Sequence, residues 1–214
     1  FISIAPRLDT LELKSRVQLV RDQLRAQLPN DFPKALRILL ASARAGNLSG
    51  FGLWPYTEFI QTFGLEHPRE SLTALSQLTE LFTAEFAVRP FLKKHTVLTL
   101  GFLERCALDK NEHLRRWSSE GSRPRLPWGE RLDIFIKDPT LTLPILELLK
   151  NDDALYVRKS VANHLNDISK DHPKLVITLL RRWNKESSAA NSKKIKWIAN
   201  RALRSLIKQG NAEA

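Results

Sequence analysis

The apolar residues of this chain recur mostly every three or four positions, which is the spacing of one face of an α-helix. Residues 11–28 show this spacing with Leu13, Val17, Val20 and Leu24. Similar patterns return in seven further segments: 32–45, 71–81, 93–107, 143–149, 156–170, 174–183 and 193–209. No useful length of chain alternates with the period of two that a half-buried strand requires. The sequence therefore predicts an all-α protein.

The breaks between these segments are short, with one exception. The second helix is closed by Gly46-Asn47, and residues 187–192 read as a polar linker. Residues 48–66 have no clear helical period and are rich in aromatic side chains: Phe51, Trp54, Tyr56, Phe59 and Phe63. We interpret this segment as an irregular plug of the hydrophobic core, with a ligand site as the alternative.

A faint repeat connects the helices of the second half of the chain. The triplets Val-Ala-Asn at 161–163 and Ile-Ala-Asn at 198–200 lie 37 residues apart, and the segments 114–117 and 157–160 lie 43 apart. Two helices per interval of this length are typical of a HEAT-like solenoid, in which one helix of each pair lines a concave face. We predict one such domain over residues 1–214, with a basic groove lined by Arg115, Arg116, Arg158, Lys159, Lys196 and Arg201.

The charge of the chain is positive and unevenly spread. Lys and Arg number 34 against 23 Asp and Glu, a net charge of +11. From residue 156 to the end the net charge is +9, and over residues 113–131 it is +3. This pattern favours a polyanionic partner, nucleic acid first and an acidic membrane surface second. The single cysteine, Cys106, excludes an internal disulfide and indicates a reducing compartment. With no membrane span or signal peptide visible, we expect a cytoplasmic protein.

The segment 113–129 concentrates the unusual chemistry. It holds Arg115, Arg116, Arg123, Arg125, Trp117, Trp128 and the carboxylate Glu120 within seventeen positions. Two prolines and two glycines after Ser118 exclude regular helix from its second half. Arginines bind phosphates and an indole face attracts cationic rings, so we favour a functional segment over an ordinary basic loop.

The segment 156–170 predicts a helix with an apolar stripe of Val157, Val161, Leu165 and Ile168. The other side carries cations and amides around one acid: Lys159, Asn163, Asn166, Asp167 and Lys170. Asp167 is either functional or a surface acid paired with Lys159 or Lys170. We expect His164 to be packed or hydrogen-bonded, because the histidines and the lone cysteine show no metal-ligand spacing.

The stretches RRWSSEGSRPRLPWG and DDALYVRKSVANHLNDISKDHP resemble the AlkC-type DNA alkylation repair glycosylases, relatives of AlkD built from HEAT-like repeats. The resemblance is densest over residues 115–183. It implies hydrolytic removal of cationic N-alkylated bases such as 3-methyladenine and 3-methylcytosine, the first step of base excision repair, without metal or cofactor. Some members carry a further immunoglobulin-like domain, for which these 214 residues have no room.

The resemblance also implies roles for single residues. Asp167 and Glu120, with Glu85 in support, would stabilise the sugar as it becomes cationic, and Trp128 would stack on the lesion. Contacts to DNA are expected from Arg115, Arg116, Arg123, Arg125, Arg158, Lys159 and Asn163.

Two other functions fit the sequence. A non-catalytic HEAT-like module would bind nucleic acid or protein without releasing a base, and a basic helix over residues 193–208 could lie on anionic membranes. We favour the glycosylase, because carboxylates within a DNA-binding groove repel phosphate and therefore need a chemical purpose. We expect a monomer that binds double-stranded DNA containing alkylated bases, is associated with the bacterial nucleoid and has no membrane partner.

Overall fold

The computed structural model describes residues 4–46 and 48–214, and it divides into two compact units, Phe1–Thr99 and Leu100–Ala214. The described residues form α-helices, short 3₁₀ helices and connecting turns, with no strand among them. This confirms the predicted all-α class. The division into two compact units does not test the prediction of one functional domain over residues 1–214, which stays a prediction.

The first unit begins with α1 (Ala5–Leu8), α2 (Leu13–Gln27) and α3 (Phe32–Ala45). After the 3₁₀ helix Gly50–Leu53 come α4 (Trp54–Phe63), α5 (Pro68–Thr79) and α6 (Arg89–Lys94). The next helix, α7 (Thr96–Cys106), contains the boundary between the units. Asn47, part of the predicted break after α3, lies outside the described residues.

The aromatic segment 48–66 is mostly helical, so its prediction as irregular chain is wrong. Pro55 lies in the first turn of α4, where the missing N–H costs nothing. The prediction of a core segment is confirmed for Trp54 and Phe59, which are 4% and 0% exposed. Helix α4 packs against α2, α3 and α5. A Cβ on Gly64, which ends α4, would lie 2.3 Å from Ser71 Oγ, so the close approach to α5 requires glycine.

The second unit continues with α8 (Glu112–Gly121), α9 (Asp133–Lys137), the 3₁₀ helix Pro139–Thr142 and α10 (Leu143–Leu149). It ends with α11 (Leu155–Ser169), α12 (Pro173–Glu186), α13 (Ala189–Ala202) and α14 (Arg204–Lys208). The single helix predicted over residues 193–209 is therefore two helices. The first of them begins at Ala189, inside the segment predicted as a linker.

Helices α8, α11 and α13 lie side by side, with α11 in the middle. Helix α10 packs against both α8 and α11, and α12 packs against both α11 and α13. Each of these outer helices thus covers the seam between two inner ones, which is how stacked helix pairs bury a continuous core. The predicted helical repeat is confirmed in this unit, and the stripe Val157, Val161, Leu165 and Ile168 of α11 is buried.

Cys106 is a buried free thiol at the end of α7. Burial is the largest cause that raises the pKa of its thiol to about 12, which marks it as a structural residue. Within residues 4–46 and 48–214, no helix combines the length and apolarity that crossing a bilayer requires.

Candidate active site

Glu120 and Asp167, two of the predicted catalytic acids, lie on either side of Arg123. The Nε of Arg123 donates to Oδ2 of Asp167 at 2.8 Å, and its Nη1 donates to Oε1 of Glu120 at 2.7 Å. Glu120, Arg123 and Asp167 are 6%, 6% and 2% exposed. Acids that are 47 positions apart in the sequence therefore share one buried guanidinium. We refer to these three residues as the buried triad.

The remaining carboxylate oxygens of the buried triad are held unequally. Ser160 Oγ donates to Oε2 of Glu120 at 2.6 Å, and Arg116 Nη2 lies 3.5 Å from Oε1 of the same residue. Oδ1 of Asp167 faces the Nζ of Lys170 at 3.4 Å, and that lysine side chain is 45% exposed. Both oxygens of Glu120 thus have short hydrogen bonds, whereas Oδ1 of Asp167 is held only loosely by its lysine neighbour.

Arg123 keeps its positive charge despite its burial. Burial acts to lower the pKa of this guanidinium, but the charges of Glu120 and Asp167 and their hydrogen bonds outweigh it, and the pKa is raised. With both acids ionised, the buried triad carries one net negative charge. A site of this sign attracts a substrate group that develops positive charge.

The local sequence explains how Arg123 reaches both acids. Glu120 lies in the last turn of α8, and Ser122, the C-cap residue, ties that turn with a hydrogen bond from its hydroxyl to the carbonyl of Ser118 at 2.7 Å. Pro124 cannot continue the helix, so the chain turns directly after Arg123. Asp167 comes from α11, which packs against α8. The last turns of two neighbouring inner helices therefore meet at this point.

Two of the predicted DNA-contacting arginines, Arg115 and Arg158, have hydrogen-bond partners within the protein, and their contacts to DNA stay predictions. Arg115 binds both oxygens of Asp152 at 2.6 and 3.1 Å and donates to the carbonyls of Asp109 and Lys110. Arg158 donates to the carbonyls of Asp152 and Asp153, both at 2.7 Å. These side chains hold the turn before α11.

Arg123 is also predicted to contact phosphate, but a side chain buried between two carboxylates presents little surface to DNA. Arg125 remains a candidate: it pairs with Asp171 at 2.8 and 2.9 Å, and both side chains are partly exposed. Lys159 is exposed, and Asn163 is half-buried with its Oδ1 unpartnered. The guanidinium of Arg116 lies 5.1 Å from the centre of the Tyr156 ring.

Trp128 stands out in the loop between α8 and α9. It is 70% exposed, and its φ of 65° is the one positive φ among the non-glycine residues that the structure describes. A bulky residue in this region of φ is strained, and packing does not account for so exposed an indole. The placement agrees with a stacking role, which stays a prediction.

Glu85 belongs to the first unit, in the turn before α6, and is 8% exposed. Its carboxylate accepts a hydrogen bond from the hydroxyl of Thr83. The expected cooperation of Glu85 with Glu120 and Asp167, which belong to the second unit, stays a prediction.

The sequence missed three residues that contribute to this site. Ser160 holds Glu120, and its position seven residues before Asp167 on α11 could have indicated a shared helix face. Arg204 opens α14 and donates to the carbonyl of Arg201. Burial, and then the charge of Arg201, lower the pKa of Arg204, while Asp167 acts to raise it. Tyr156 lies beside Arg116.

The acids of the site do not form a metal centre with other ligands. Among residues 4–46 and 48–214, no group of three or more His, Cys, Asp and Glu side chains could hold an ion. His164, as predicted, is buried, and its Nδ1 lies 3.0 Å from the carbonyl oxygen of Ser119.

No family model matches the sequence. The Pseudomonas fluorescens alkylpurine DNA glycosylase AlkC, solved bound to DNA containing an abasic site analog, is 45% identical with a TM-score of 0.86, and the match covers 95% of this chain and 55% of that one. The chain is AlkC-like. The resemblance inferred from residues 115–183 thus extends over nearly the whole AlkC-like chain.

Two further relatives bear on the AlkC-like chain. Bacillus subtilis (strain 168) YhaZ, described as uncharacterized, is 43% identical over 205 residues, which are 95% of this chain and 55% of YhaZ. The chain therefore spans about half the length of both AlkC and YhaZ. The Streptococcus mutans UA159 protein smu.31 is 22% identical with a TM-score of 0.56, covering 89% of this chain and 98% of that one. That likeness shows the fold alone.

Proposed function

We propose that this AlkC-like chain is a DNA glycosylase that removes cationic N-alkylated bases, of the 3-methyladenine and 3-methylcytosine type, from double-stranded DNA. The observation that carries the proposal is the buried triad, two acids held by one arginine inside a chain of net charge +11. The solved AlkC relative supports it, since that protein was bound to DNA containing an abasic site analog. An abasic site is what remains when a base has been removed.

The reaction needs little acid catalysis. An alkylated base carries a positive charge, so it departs with the electron pair of the glycosidic bond and becomes neutral. Positive charge then develops at the C1′ atom of the sugar, where a water oxygen forms the new bond and releases one proton. A fixed carboxylate beside C1′ stabilises this charge and orients the water.

Asp167 is the better candidate for direct contact with the sugar or water, because its Oδ1 is held only by a 3.4 Å contact with Lys170. Glu120 has both oxygens engaged by Arg123 and Ser160 and would add its charge from one side. One preorganised group of this kind contributes roughly 10²–10³ in rate. Glu85 would support them from the first unit.

Trp128 would stack on the lesion or its sugar, since its exposed face attracts a cationic ring. Such a contact contributes roughly 0.5–2 kcal/mol, with the larger value applying where water is excluded.

Phosphate contacts are proposed for Lys159, which is exposed, and for Arg116 and Arg125, which are partly exposed, with Arg201 and Arg204 added from α13 and α14. The contacts predicted for Arg115 and Arg158, which are also partly exposed, remain part of the proposal. Asn163 would contribute a hydrogen bond from the same helix as Lys159 and Asp167. Binding through several phosphates falls steeply as salt is raised. We further propose that the protein works as a monomer near the bacterial nucleoid in the cytoplasm, without metal.

Release of free base from methylated duplex tests the proposal, with separate substrates containing 3-methyladenine and 3-methylcytosine. We expect release by the parent protein and strong loss in Asp167→Asn and Glu120→Gln. Asp22→Asn, which changes an acid on α2 that pairs with Arg21, is the control and keeps the parent rate. Full activity of both active-site variants contradicts the roles given to these acids.

Salt-dependent binding of the parent to undamaged duplex, without release of any base, favours instead a non-catalytic helical-repeat module. In that case, loss of an acid only tightens binding, because repulsion of phosphate is reduced.

A further inference from the structure

We propose that Arg123 is a positioning residue, which keeps Glu120 and Asp167 ionised together and fixes the direction of the Asp167 carboxylate. The consequence for base release rests on the proposed function. The electrostatic part concerns the folded chain alone, so it can be tested without any activity.

Two buried acids cannot both stay ionised close together unless a cation lies between them, because their repulsion and their loss of water both favour uptake of a proton. Arg123 supplies that cation at 2.7 Å from Glu120 and 2.8 Å from Asp167, with its side chain 8% exposed. A carboxyl group that took up a proton at this site would lose the negative charge that the cationic sugar needs. Arg123 thus keeps the site in the doubly ionised form that can stabilise the cationic sugar.

Other charged groups surround the acids, but they are less able to replace Arg123. Arg116 on α8 lies 3.5 Å from Glu120, and Lys170 on α11 lies 3.4 Å from Asp167 with a side chain that is 45% exposed. The charge of Asp167 also acts on Arg125 in the loop and on Arg204 of α14, which has Arg201 beside it. His164 of α11 hydrogen-bonds with the carbonyl of Ser119. Of the cations with described contacts to these acids, Arg123 has the shortest, it binds both acids, and it is the most buried.

The guanidinium also sets geometry. Its Nε and Nη1 project at a fixed angle, so holding Glu120 through one of them orients the other toward Asp167 Oδ2. Asp167 is then left with Oδ1 as the oxygen that can turn to the sugar or water. A lysine at position 123 would supply the charge but not this fork.

The first experiment measures single-turnover base release against pH for the parent, Arg123→Gln and Arg123→Lys. We expect Arg123→Gln to be slower by about 10²–10³ at neutral pH. The acidic side of its rate profile should move to higher pH by about one pH unit or more. Arg123→Lys should keep the parent profile and recover part of the rate, since it keeps the charge. Affinity for DNA and its dependence on salt should not change in either variant.

A matched control exists in the first unit. Arg21 also contacts two carboxylates, Asp22 at 2.8 Å and Glu58 at 3.3 Å, outside the site. Arg21→Gln should leave the pH profile of base release unchanged. If Arg123→Gln instead weakens DNA binding, lowers its salt dependence and keeps the parent profile, Arg123 is a phosphate ligand and the proposal is overturned.

The second experiment follows the carboxyl ¹³C signals of Glu120 and Asp167 by NMR in the protein without DNA. In Arg123→Gln, one of the two acids should titrate at a higher pH than in the parent. Adding Glu120→Gln should move the titration of Asp167 back toward the parent. If both acids titrate in Arg123→Gln as they do in the parent, the proposal is overturned, whatever the activity of the variant. If Arg123→Gln does not fold, the test uses Arg123→Lys, in which titration of both acids as in the parent supports the proposal. If the parent protein releases no base but the variants show these titration shifts, the proposed function is wrong, whereas the electrostatic role of Arg123 is supported.

Discussion

Two arginine–aspartate pairs of the second unit look alike in the sequence and differ in the structure. Arg123 and Arg125 are two positions apart, and their partners Asp167 and Asp171 are four apart. Both pairs have a shortest contact of 2.8 Å. The side chains of Arg123 and Asp167 are 8% and 3% exposed, whereas those of Arg125 and Asp171 are 25% and 29% exposed. Burial, not chemistry or distance, separates the two pairs.

The difference shows in what each pair can do. The pKa of Arg125 is raised chiefly by its hydrogen bond with Asp171, which is a larger influence than the opposing effect of burial. For Arg123, burial is the largest influence, and two acids are needed to outweigh it. An exposed pair can exchange its partner for a phosphate at small cost, but a buried pair cannot. Arg125 is therefore suited to meeting DNA, and Arg123 to holding the acids.

The largest expected effect is on stability. Arg123→Gln should lower the free energy of unfolding by roughly 3–5 kcal/mol at neutral pH, because it leaves two acids buried without their cation. Arg125→Gln should change it by about 0–1 kcal/mol. Urea unfolding of both variants measures this. The difference in the free energy of unfolding between Arg123→Gln and the parent should become smaller as the pH falls, because protonation of one acid relieves the repulsion between Glu120 and Asp167. Equal losses in the two variants would contradict the distinction between the pairs.

The next effect separates the two aspartates. Asp167→Asn should reduce single-turnover base release by about 10²–10³, because it removes the charge beside the sugar. Asp171→Asn removes only a surface partner of Arg125 and should leave the chemical rate unchanged. A comparable loss in both variants would mean that the buried triad has no special place in the reaction.

Trp128 extends the comparison to a residue that is largely exposed. Trp128→Ala should reduce base release by about 2- to 30-fold, the equivalent of the stacking contribution given above. It should leave the free energy of unfolding unchanged or slightly higher, since the indole is 70% exposed. Trp128→Phe retains an aromatic face and should lose less. A clear loss of stability in the alanine variant would indicate a structural role.

The smallest effect is on the salt dependence of DNA binding. Arg125→Gln should reduce the slope of log affinity against log salt by about 0.9, the value for one phosphate contact. Arg123→Gln should leave the slope as it is in the parent. Filter binding or fluorescence anisotropy at several salt concentrations distinguishes the two. A reduced slope in Arg123→Gln alone would reverse the assignments of the two arginines.

The helices show where the sequence was sufficient and where it was not. Helix α3 was predicted with its observed ends, because the apolar spacing and the glycine after it both mark it. In the structure the side chain of Asp31 also caps its first turn. Helix α4 was missed, because its aromatic side chains contact core on several sides and leave no single apolar stripe. The break between α13 and α14 at Leu203 was missed too, since no glycine or proline marks it.

The pattern of the sequence alone determined the helical class and the repeat of α8, α11 and α13, because spacing and residue type survive without coordinates. The roles of the acids Glu120 and Asp167 came from the resemblance to AlkC-type glycosylases and stay predictions. Only the tertiary structure decided that Arg123 belongs with those acids and Arg125 with solvent. The reason is physical: the energy of a charge depends on its burial and its partners, and Asp167 lies 44 positions from Arg123 in the chain but 2.8 Å from it in the fold.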